Sequence, residues 1–410
     1  MSLSILSRAP NLPSEFELVA ACCRWPPSNA RNGAIARALT PSLDWDAFLR
    51  VVKRQRVAGL VRDGLARSGI SCPLRISQEL ERMVADMVRQ NLKHAAESVR
   101  IQRLFADAGV PLLFVKGVTL AQLAYRSLAL KHSWDIDLLV APNTVPRALE
   151  LLAQVGYQPF PALPPTTDKA FARWLKFARE YILFHRSNSV HVEIHWRLTD
   201  NNYFLPGLAA GSPTQLVCLS DGVKLRTLRN DDLFAYLCVH GACHAWSRLK
   251  WLADVAALMA HDGAKDAERR LQAAKEANAE DCVAQAYLLC DRLFETPCVA
   301  ELAQTLRKQR RHRWLEQIAM NAMTTGDAQR ELGGSPFDRL PGMLSHFMLG
   351  RGWRFAAREL WIKLNGPFDL QSVALPGLFG PLYPLFRIAA FFKRRGRMRA
   401  WPVPPNGAVD

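Results

Sequence analysis

Residues 134–140 read Trp-Asp-Ile-Asp-Leu-Leu-Val and place two carboxylates two positions apart inside an apolar run. Side chains two residues apart on a β-strand point to the same face, so Asp135 and Asp137 would project side by side above a buried strand. Adjacent carboxylates repel each other unless positive charge lies between them. Mg²⁺ prefers carboxylate oxygens, so the pair could be part of a metal site. The alternative is that both are surface acids at the solvent-facing end of a strand.

The segment just before this pair has the pattern of a buried strand that runs into a helix. Residues 110–115 are apolar, Lys116 and Gly117 follow, and residues 118–126 have helical spacing. A glycine at such a turn lets a phosphate approach the backbone, and the helix start offers unpaired N–H groups and a positive dipole end. We therefore expect phosphate binding at this turn, with Lys131 supplying further positive charge.

A third carboxylate lies on a predicted β-hairpin. Residues 180–185 and 190–196 alternate in polarity across a short polar link, which indicates two antiparallel strands. On the second strand Glu193 lies between His191 and His195, and the period of two puts all three on one face. We expect the two histidines to support the carboxylate, with direct catalysis as the alternative. Three carboxylates that hold two metal ions, with basic residues nearby, can catalyse transfer of a nucleotidyl group with loss of pyrophosphate.

These motifs resemble the uncharacterised bacterial branch of the nucleotidyltransferase superfamily, which has the DNA polymerase β-like fold. The resemblance rests on residues 114–117, 135–140 and 191–196, and over roughly residues 40–260 it includes similar helical stretches at 51–57 and 240–254. It implies an α+β fold in which a small mixed sheet with helices is flanked by N- and C-terminal helical regions. It also implies that Asp135, Asp137 and Glu193 bind the metal and that Gly117 opens the phosphate-binding helix.

Two positions differ from the usual pattern of that superfamily. The turn usually reads Gly-Ser, whereas here Val118 follows the glycine and Thr119 is the nearest hydroxyl. Position 131 is often arginine in this branch, and Lys131 lacks the bidentate fork of a guanidinium. We retain Thr119 and Lys131 among the expected nucleotide-binding residues.

The 410-residue chain is long enough for several domains. Helical spacing dominates before residue 106, mixed strand and helix patterns follow, and helical spacing returns near residue 231. We predict an N-terminal helical region (1–106), a nucleotidyltransferase core (107–200), a helical domain (201–330) and a helical, basic extension (331–410).

A net charge of +16 favours polyanionic partners. Part of this charge is concentrated in two basic clusters, at residues 307–313 and 393–399. The first is either a solvated helix face or an RNA contact. The second follows an apolar stretch at 382–392, so residues 380–400 either lie on an anionic membrane surface or dock on the protein with a solvated tail.

The sequence has no run of 18 uncharged apolar residues and no secretory pattern at its start, so we expect no transmembrane segment. The nine cysteines form no CxxC pair and are expected to be buried free thiols. We predict a cytoplasmic protein, either free or peripheral at the inner membrane.

Two further features lie on predicted helices downstream. His240 and His244 are four residues apart, but no HExxH-type acid accompanies them, so capping, core hydrogen bonding or contact with the active-site strand is favoured over zinc. Asp254 is expected to form a buried ion pair that orients its helix, with substrate contact as the alternative.

The sequence thus predicts a bacterial, Mg²⁺- or Mn²⁺-dependent nucleotidyltransferase that binds ATP or another NTP and transfers NMP to a hydroxyl. The acceptor is a small molecule, an RNA or a protein side chain, and the fold does not choose among them. Two other functions remain open. One is a non-catalytic nucleotide- or RNA-binding module on the same fold. The other is a peripheral membrane protein linked to cell-surface polymer synthesis.

Overall fold

The computed structural model describes residues 12–160, 168–220, 222–325 and 340–364. Within these ranges the chain has the predicted α+β fold, in which a small mixed sheet is flanked in sequence by helices. The sequence segments proposed for membrane contact, 380–400 and the basic cluster within it, lie outside the described residues.

Helices precede the sheet, and local signals fix their ends. They are α1 (Ser14–Cys22), α2 (Asn29–Ala38), α3 (Trp45–Gln55), α4 (Ala58–Ser68) and α5 (Leu74–Asp107). The Asp44 carboxylate caps α3 by accepting hydrogen bonds from the backbone N–H groups of Asp46 and Ala47. The same helix ends at Gln55, and the next residue, Arg56, has a left-handed φ of 55° that directs the chain into α4.

The main sheet has the strand order β1-β2-β5-β4-β3. Its strands are β1 (Leu113–Phe114), β2 (Ile136–Leu139), β3 (Tyr157–Pro159), β4 (Glu180–His185) and β5 (Val190–His195). Strands β2 and β5 are parallel, and the other neighbouring pairs are antiparallel. Between the strands in sequence come α6 (Gly117–Tyr125), α7 (Val145–Gln154) and α8 (Asp168–Phe177).

The structure confirms the predicted hairpin as β4 and β5, and the carboxylate-bearing strand as β2. The strand predicted at 110–115 is shorter than expected: it consists of Leu113 and Phe114, which pair with β2. Pro111 within that segment has no N–H to donate to a neighbouring strand.

A second hairpin, β6 (Thr214–Ser220) and β7 (Val223–Leu228), was not predicted. Leu225 on its inner face joins the hydrophobic cluster of the main sheet, whereas Leu216 faces solvent. The apolar residue on the outer face disrupts the alternation that identifies a half-buried strand.

The rest of the described chain is mainly helical. The helices are α9 (Asn230–Cys243), α10 (Leu249–Leu258), α11 (Ala264–Glu276), α12 (Glu280–Phe294), α13 (Ala300–Leu306), α14 (Arg310–Thr325), α15 (Leu340–His346) and α16 (Trp353–Leu364). One hydrophobic cluster joins them to the N-terminal helices through residues such as Leu18, Val61, Phe234 and Leu288. The division into regions at 106, 200 and 330 stays a prediction. In the described part of the chain, no helix combines the length and the apolar character needed to cross a bilayer.

All nine cysteines are free thiols, and six of them are buried.

The first basic cluster, at residues 307–313, lies beside acidic side chains of the protein. Arg307 lies 2.6 Å from Asp291 and 3.2 Å from Glu316, measured between nitrogen and carboxylate oxygen. Arg311 and His312 each lie 2.9 Å from a carboxylate oxygen of Asp281. These members of the 307–313 cluster therefore form ion pairs within the protein, which accounts for part of the cluster without an RNA partner.

Candidate active site

Two carboxylates face each other across neighbouring parallel strands. Asp137 on β2 and Glu193 on β5 are register partners, so their side chains leave the sheet on the same face. Asp137 is only 2% exposed, whereas Glu193 is partly accessible. Asp135 lies two residues before Asp137, immediately ahead of β2, and borders the same cleft. The structure thus brings together the three carboxylates that the sequence singled out.

His195 lies at the centre of this group. Its Nε2 is 3.0 Å from Asp137 Oδ1 and 3.4 Å from Glu193 Oε2. Its Nδ1 is 3.2 Å from Oε2 of Glu180, its register partner on β4. Burial opposes protonation, but hydrogen bonds to these carboxylates raise the pKa of His195 well above its ordinary value. The sequence indicated a supporting histidine here but not Glu180, which faces His195 only because the strands pair in this register.

Lys116 supplies a further positive charge to Asp137. Its Nζ lies 2.8 Å from Asp137 Oδ1. Burial alone would raise the pKa of Asp137, yet Lys116 and the His195 hydrogen bond hold it below its ordinary value. Asp135 differs, because burial and then repulsion from Asp137 and Glu193 raise its pKa. A cation placed between these acids would relieve that repulsion.

The donor set fits a divalent metal. Asp137, Glu193 and His195 each offer one ligand atom, and these atoms all lie within 4.8 Å of one another. Asp137 Oδ2 is buried and has no hydrogen-bond partner among the described residues, which is an unusual state for a carboxylate oxygen. Asp135 is not one of this group of three, although it borders the same cleft. His195, which the sequence predicted as a support for the Glu193 carboxylate, is therefore among the side chains that could hold a metal ion.

The predicted phosphate turn lies beside the carboxylates. Gly117 is the first residue of α6 and has a φ of 63°, a left-handed value that favours glycine. Both Lys116 and Gly117 line the cleft, and the first N–H groups of an α-helix have no partner within the helix. Val118 is buried in the core of the sheet, which is why an apolar residue is accommodated there. The hydroxyl of Thr119 donates to the Lys116 carbonyl at 2.8 Å, so this side chain braces the turn and does not line the cleft.

Lys131 lines the cleft and forms an ion pair with Asp254. Its Nζ lies 2.8 Å from Asp254 Oδ2, and the Tyr125 hydroxyl donates to Asp254 Oδ1 at 3.1 Å. All three side chains are buried. The predicted buried ion pair of Asp254 is confirmed, and its partner comes from a segment 123 residues earlier in the chain.

The helix pair α9 and α10 forms the wall opposite the sheet. The cleft between this helix pair and the sheet has a volume of about 560 Å³. His240 and His244 line it with ring centroids 4.6 Å apart, and each ring contacts Trp251. Burial, and then the nearby Lys116 charge, lower the pKa of His240 well below its ordinary value. Among the described residues, neither histidine belongs to a group of three potential metal ligands.

A tight turn between α9 and α10 brings Ser247, Arg248, Lys250 and Trp251 to the cleft. Ala245 and Trp246 both have positive φ values, of 49° and 51°. The Trp246 ring is fully buried, and a Cβ at position 241 would come within 2.4 Å of it, so Gly241 is needed for this packing. The Trp246 indole N–H donates to Gln285 Oε1 at 3.1 Å.

Residues from distant segments complete the cleft, and the sequence did not identify them as site residues. Arg56 comes from the turn after α3, and its guanidinium lies 5.6 Å from the Trp134 ring centroid. Arg179 lines the cleft next to its ion-pair partner Glu180. The only available signal for Arg56 was its place in the 51–57 stretch, because nothing local shows which surface it meets.

His191 lies apart from the metal-binding group. Its ring stacks with Trp134 at a centroid distance of 6.3 Å and packs against Phe184, its register partner, at 4.6 Å. Burial lowers the pKa of His191. His191 therefore packs beside Trp134, which lines the cleft.

Comparison with known proteins agrees with this geometry. A family model described as uncharacterised nucleotidyltransferase matches residues 41–295, which is more than half of the chain. No curated protein and no solved structure gives a match. The matched range includes the sheet, the carboxylates and both helices of the opposite wall. The chain therefore belongs to this family of uncharacterised nucleotidyltransferases.

Proposed function

We propose that the protein is a metal-dependent nucleotidyltransferase of the DNA polymerase β-like superfamily, which transfers NMP from an NTP to a hydroxyl acceptor. The observation that carries the proposal is the pairing of Asp137 and Glu193 across parallel strands, with Asp135 alongside and a helix start at Gly117 in the same cleft. Carboxylates in this arrangement can hold divalent cations, and a helix start that borders a cleft can hold phosphate.

The proposed metal is Mg²⁺ or Mn²⁺. Asp135, Asp137 and Glu193 would hold it, with His195 either as a further ligand or as the group that orients them. Oxygen ligands favour these hard cations over softer metals. When bound, the metal would polarise the α-phosphate and stabilise the charge that develops on the attacking and leaving oxygens.

The protein's own residues would position the reactants. In the proposed reaction, the acceptor hydroxyl releases its proton to solvent as its oxygen forms a bond to the α-phosphorus. The bond between that phosphorus and the oxygen that bridges to the β-phosphate breaks, and pyrophosphate leaves. Lys116 and the N–H groups that follow Gly117 would bind phosphate oxygens, and Thr119 would keep that turn in shape. Lys131 would act chiefly through Asp254, by fixing the helix that forms the opposite wall.

The test is pyrophosphate release from each of the four NTPs with Mg²⁺ or Mn²⁺, in the presence of candidate acceptors. The wild type is compared with Asp137→Asn and with Asp107→Asn, a matched change at an exposed position at the end of α5. We expect metal-dependent release by the wild type and the control, with a loss of about 10²-fold or more in Asp137→Asn. Equal release by all three proteins would reject the proposal.

A second candidate is a non-catalytic nucleotide- or RNA-binding module on the same fold. Val118, buried where the superfamily usually has serine, favours it, because the turn then lacks that hydroxyl. Saturable NTP binding without turnover, unchanged in Asp137→Asn, would support this candidate.

A role as a peripheral membrane protein stays a proposal from the sequence of residues 380–400. Loss of binding to anionic liposomes on deletion of residues 380–410 would support it.

A further inference from the structure

The His195 ring lies between acids from three neighbouring strands of the main sheet. Its Nε2 is 3.0 Å from Asp137 Oδ1 on β2 and 3.4 Å from Glu193 Oε2 on β5, the strand that carries His195 itself. Its Nδ1 is 3.2 Å from Oε2 of Glu180 on β4. The residue is only 1% exposed. One ring nitrogen therefore faces the acids proposed to bind the metal, and the other faces Glu180.

The register of the sheet produces this arrangement. Glu180 and His195 are direct partners across the antiparallel pair of β4 and β5. Asp137 and Glu193 are direct partners across the parallel pair of β2 and β5. Residues that lie opposite each other on neighbouring strands, or two apart on one strand, have their side chains on the same face. All four side chains therefore leave the same face of the sheet.

Glu180 is itself held in place. Arg179 Nη2 lies 2.9 Å from Glu180 Oε2, and Arg179 Nε lies 3.2 Å from Asp200 Oδ1. The backbone N–H of Trp196, the residue after His195, donates to the Arg179 carbonyl at 3.0 Å. The segment that carries Glu180 is thus fixed to the segment that carries His195. The Arg179 guanidinium also offsets charge on the Glu180 carboxylate.

The surroundings of Glu180 differ from those of the acids proposed to bind the metal. In the part of the chain that the structure describes, the group of three potential ligands consists of Asp137, Glu193 and His195 and does not include Glu180. Glu180 borders the cleft, but its Oε2 meets an imidazole and a guanidinium. A carboxylate on the far nitrogen of a histidine at a metal site fixes the orientation of that ring. This geometry gives Glu180 an effect on the site through His195.

We propose that Glu180 is a positioning residue of the metal site, which holds the His195 ring against Asp137 and Glu193 in the arrangement that the cation meets. This inference rests on the proposed function, in which these side chains surround Mg²⁺ or Mn²⁺. Without the Glu180 contact the ring is free to turn about its side-chain bonds, and it must be ordered again when the cation binds. Loss of this preorganisation weakens metal binding although no ligand is removed.

Titration of the metal-free, full-length protein with Mn²⁺ tests the proposal, with the free ion measured by its electron paramagnetic resonance signal. Glu180→Gln should raise the Kd for Mn²⁺ by about tenfold or more, the usual effect of removing a group that orients a ligand. Glu180→Asp keeps the charge but withdraws the carboxylate from Nδ1, so it should also raise the Kd. Glu150→Gln, the same change in an exposed ion pair with Arg147 outside the cleft, should match the wild type.

A double-variant cycle shows whether Glu180 acts through His195. His195→Gln places an amide near the position of Nε2 but has no counterpart of Nδ1, so it removes the same contact. We expect this variant to raise the Kd as well, and Glu180→Gln to add no further loss in the His195→Gln background. Additive losses in the double variant would overturn the proposal, because Glu180 would then act on the metal independently of the ring.

The remaining outcomes separate this inference from the proposed function. An unchanged Kd in Glu180→Gln, or a wild-type Kd in Glu180→Asp, would overturn the inference alone, since metal binding by the wild type would still stand. If circular dichroism shows that Glu180→Gln does not fold, Glu180→Asp decides. If the wild type binds no Mn²⁺, the proposed function fails and this inference fails with it.

Discussion

Lys116 Nζ and His195 Nε2 approach the same oxygen of Asp137, Oδ1, at 2.8 and 3.0 Å. The other oxygen, Oδ2, is buried, and no residue in the part of the chain that the structure describes forms a hydrogen bond with it. A buried carboxylate oxygen without a partner is costly unless a cation or water fills the place. Because Lys116 and His195 both approach Oδ1, the second oxygen remains available to a metal ion.

Removal of the Lys116 charge should destabilise the metal-free protein. In Lys116→Met, buried Asp137 loses one of the two basic partners that the described residues provide, so we expect the free energy of unfolding to fall by about 2–4 kcal/mol in EDTA. Because Mn²⁺ supplies the missing positive charge, the loss should shrink when the metal is added. Urea denaturation measures both values. Lys53→Met, which breaks an exposed pair with Glu79, should cost less than about 1 kcal/mol in either condition. A metal-independent loss in Lys116→Met would contradict this account.

The turn at the start of α6 should not tolerate a side chain. In Gly117→Ala the new Cβ would lie 3.5 Å from the Asp135 carbonyl oxygen, an ordinary contact, so the cost comes from the left-handed φ of 63°. We expect a loss of about 1–2 kcal/mol in urea denaturation, together with weaker NTP binding. Gly211→Ala is the control, because its Cβ meets no atom within 4 Å and its φ is not left-handed. Equal stability and equal NTP affinity in both variants would show that the conformation of Gly117 is unimportant.

The buried pair of Lys131 and Asp254 should behave as a unit. We expect Lys131→Met and Asp254→Leu each to cost about 3 kcal/mol or more, because each leaves an uncompensated buried charge. The double variant should recover much of that loss, giving a coupling energy of about 1–3 kcal/mol in denaturant unfolding. The exposed pair of Arg147 and Glu150 is the matched control, with coupling below about 1 kcal/mol. Additive losses at 131 and 254 would show that the two charges do not stabilise each other.

The sequence predicted the elements of the site better than their long-range partners. The alternation around Asp135 and in the 190–196 strand is local, and it correctly indicated β2, β5 and the shared face of the carboxylates. Which strands are neighbours, and in what register, depends on the whole sheet. For that reason Glu180, which meets His195 across β4 and β5, was missed.

Contacts between distant segments explain the other differences. Gln55 and Leu249 are 194 residues apart, and Lys131 and Asp254 are 123 apart. The sequence patterns near each residue describe its own helix or turn and contain no information about the surface that it meets. Arg56 in the cleft, and the acid that holds Lys131, could therefore be found only from the three-dimensional structure.

A buried histidine should make stability depend on pH. Burial, followed by repulsion from His191, lowers the pKa of His94 from 6.5 to about 4, and the Gln90 amide lies 2.8 Å from its Nε2. As the pH falls below 6.5, the unfolded chain takes up a proton before the folded protein does, so stability is lost between pH 6.5 and about 4. Between pH 7 and 5 the wild type should lose about 2 kcal/mol more than His94→Leu in urea denaturation. His261→Leu, at an exposed position, should follow the wild type, and parallel curves for all three would refute the assignment.

The central claim is that the aspartates bind a metal that holds a nucleotide. A thermal-shift titration tests it most directly, with ATP, GTP, CTP and UTP, with and without Mg²⁺, on the wild type, Asp137→Asn and the Asp107→Asn control. We predict that at least one nucleotide raises the Tm by about 4 °C at saturation in the presence of Mg²⁺ only. The shift should be absent in Asp137→Asn and retained in the control. A shift that is independent of Mg²⁺ or survives in Asp137→Asn, or no shift with any nucleotide, would contradict the claim.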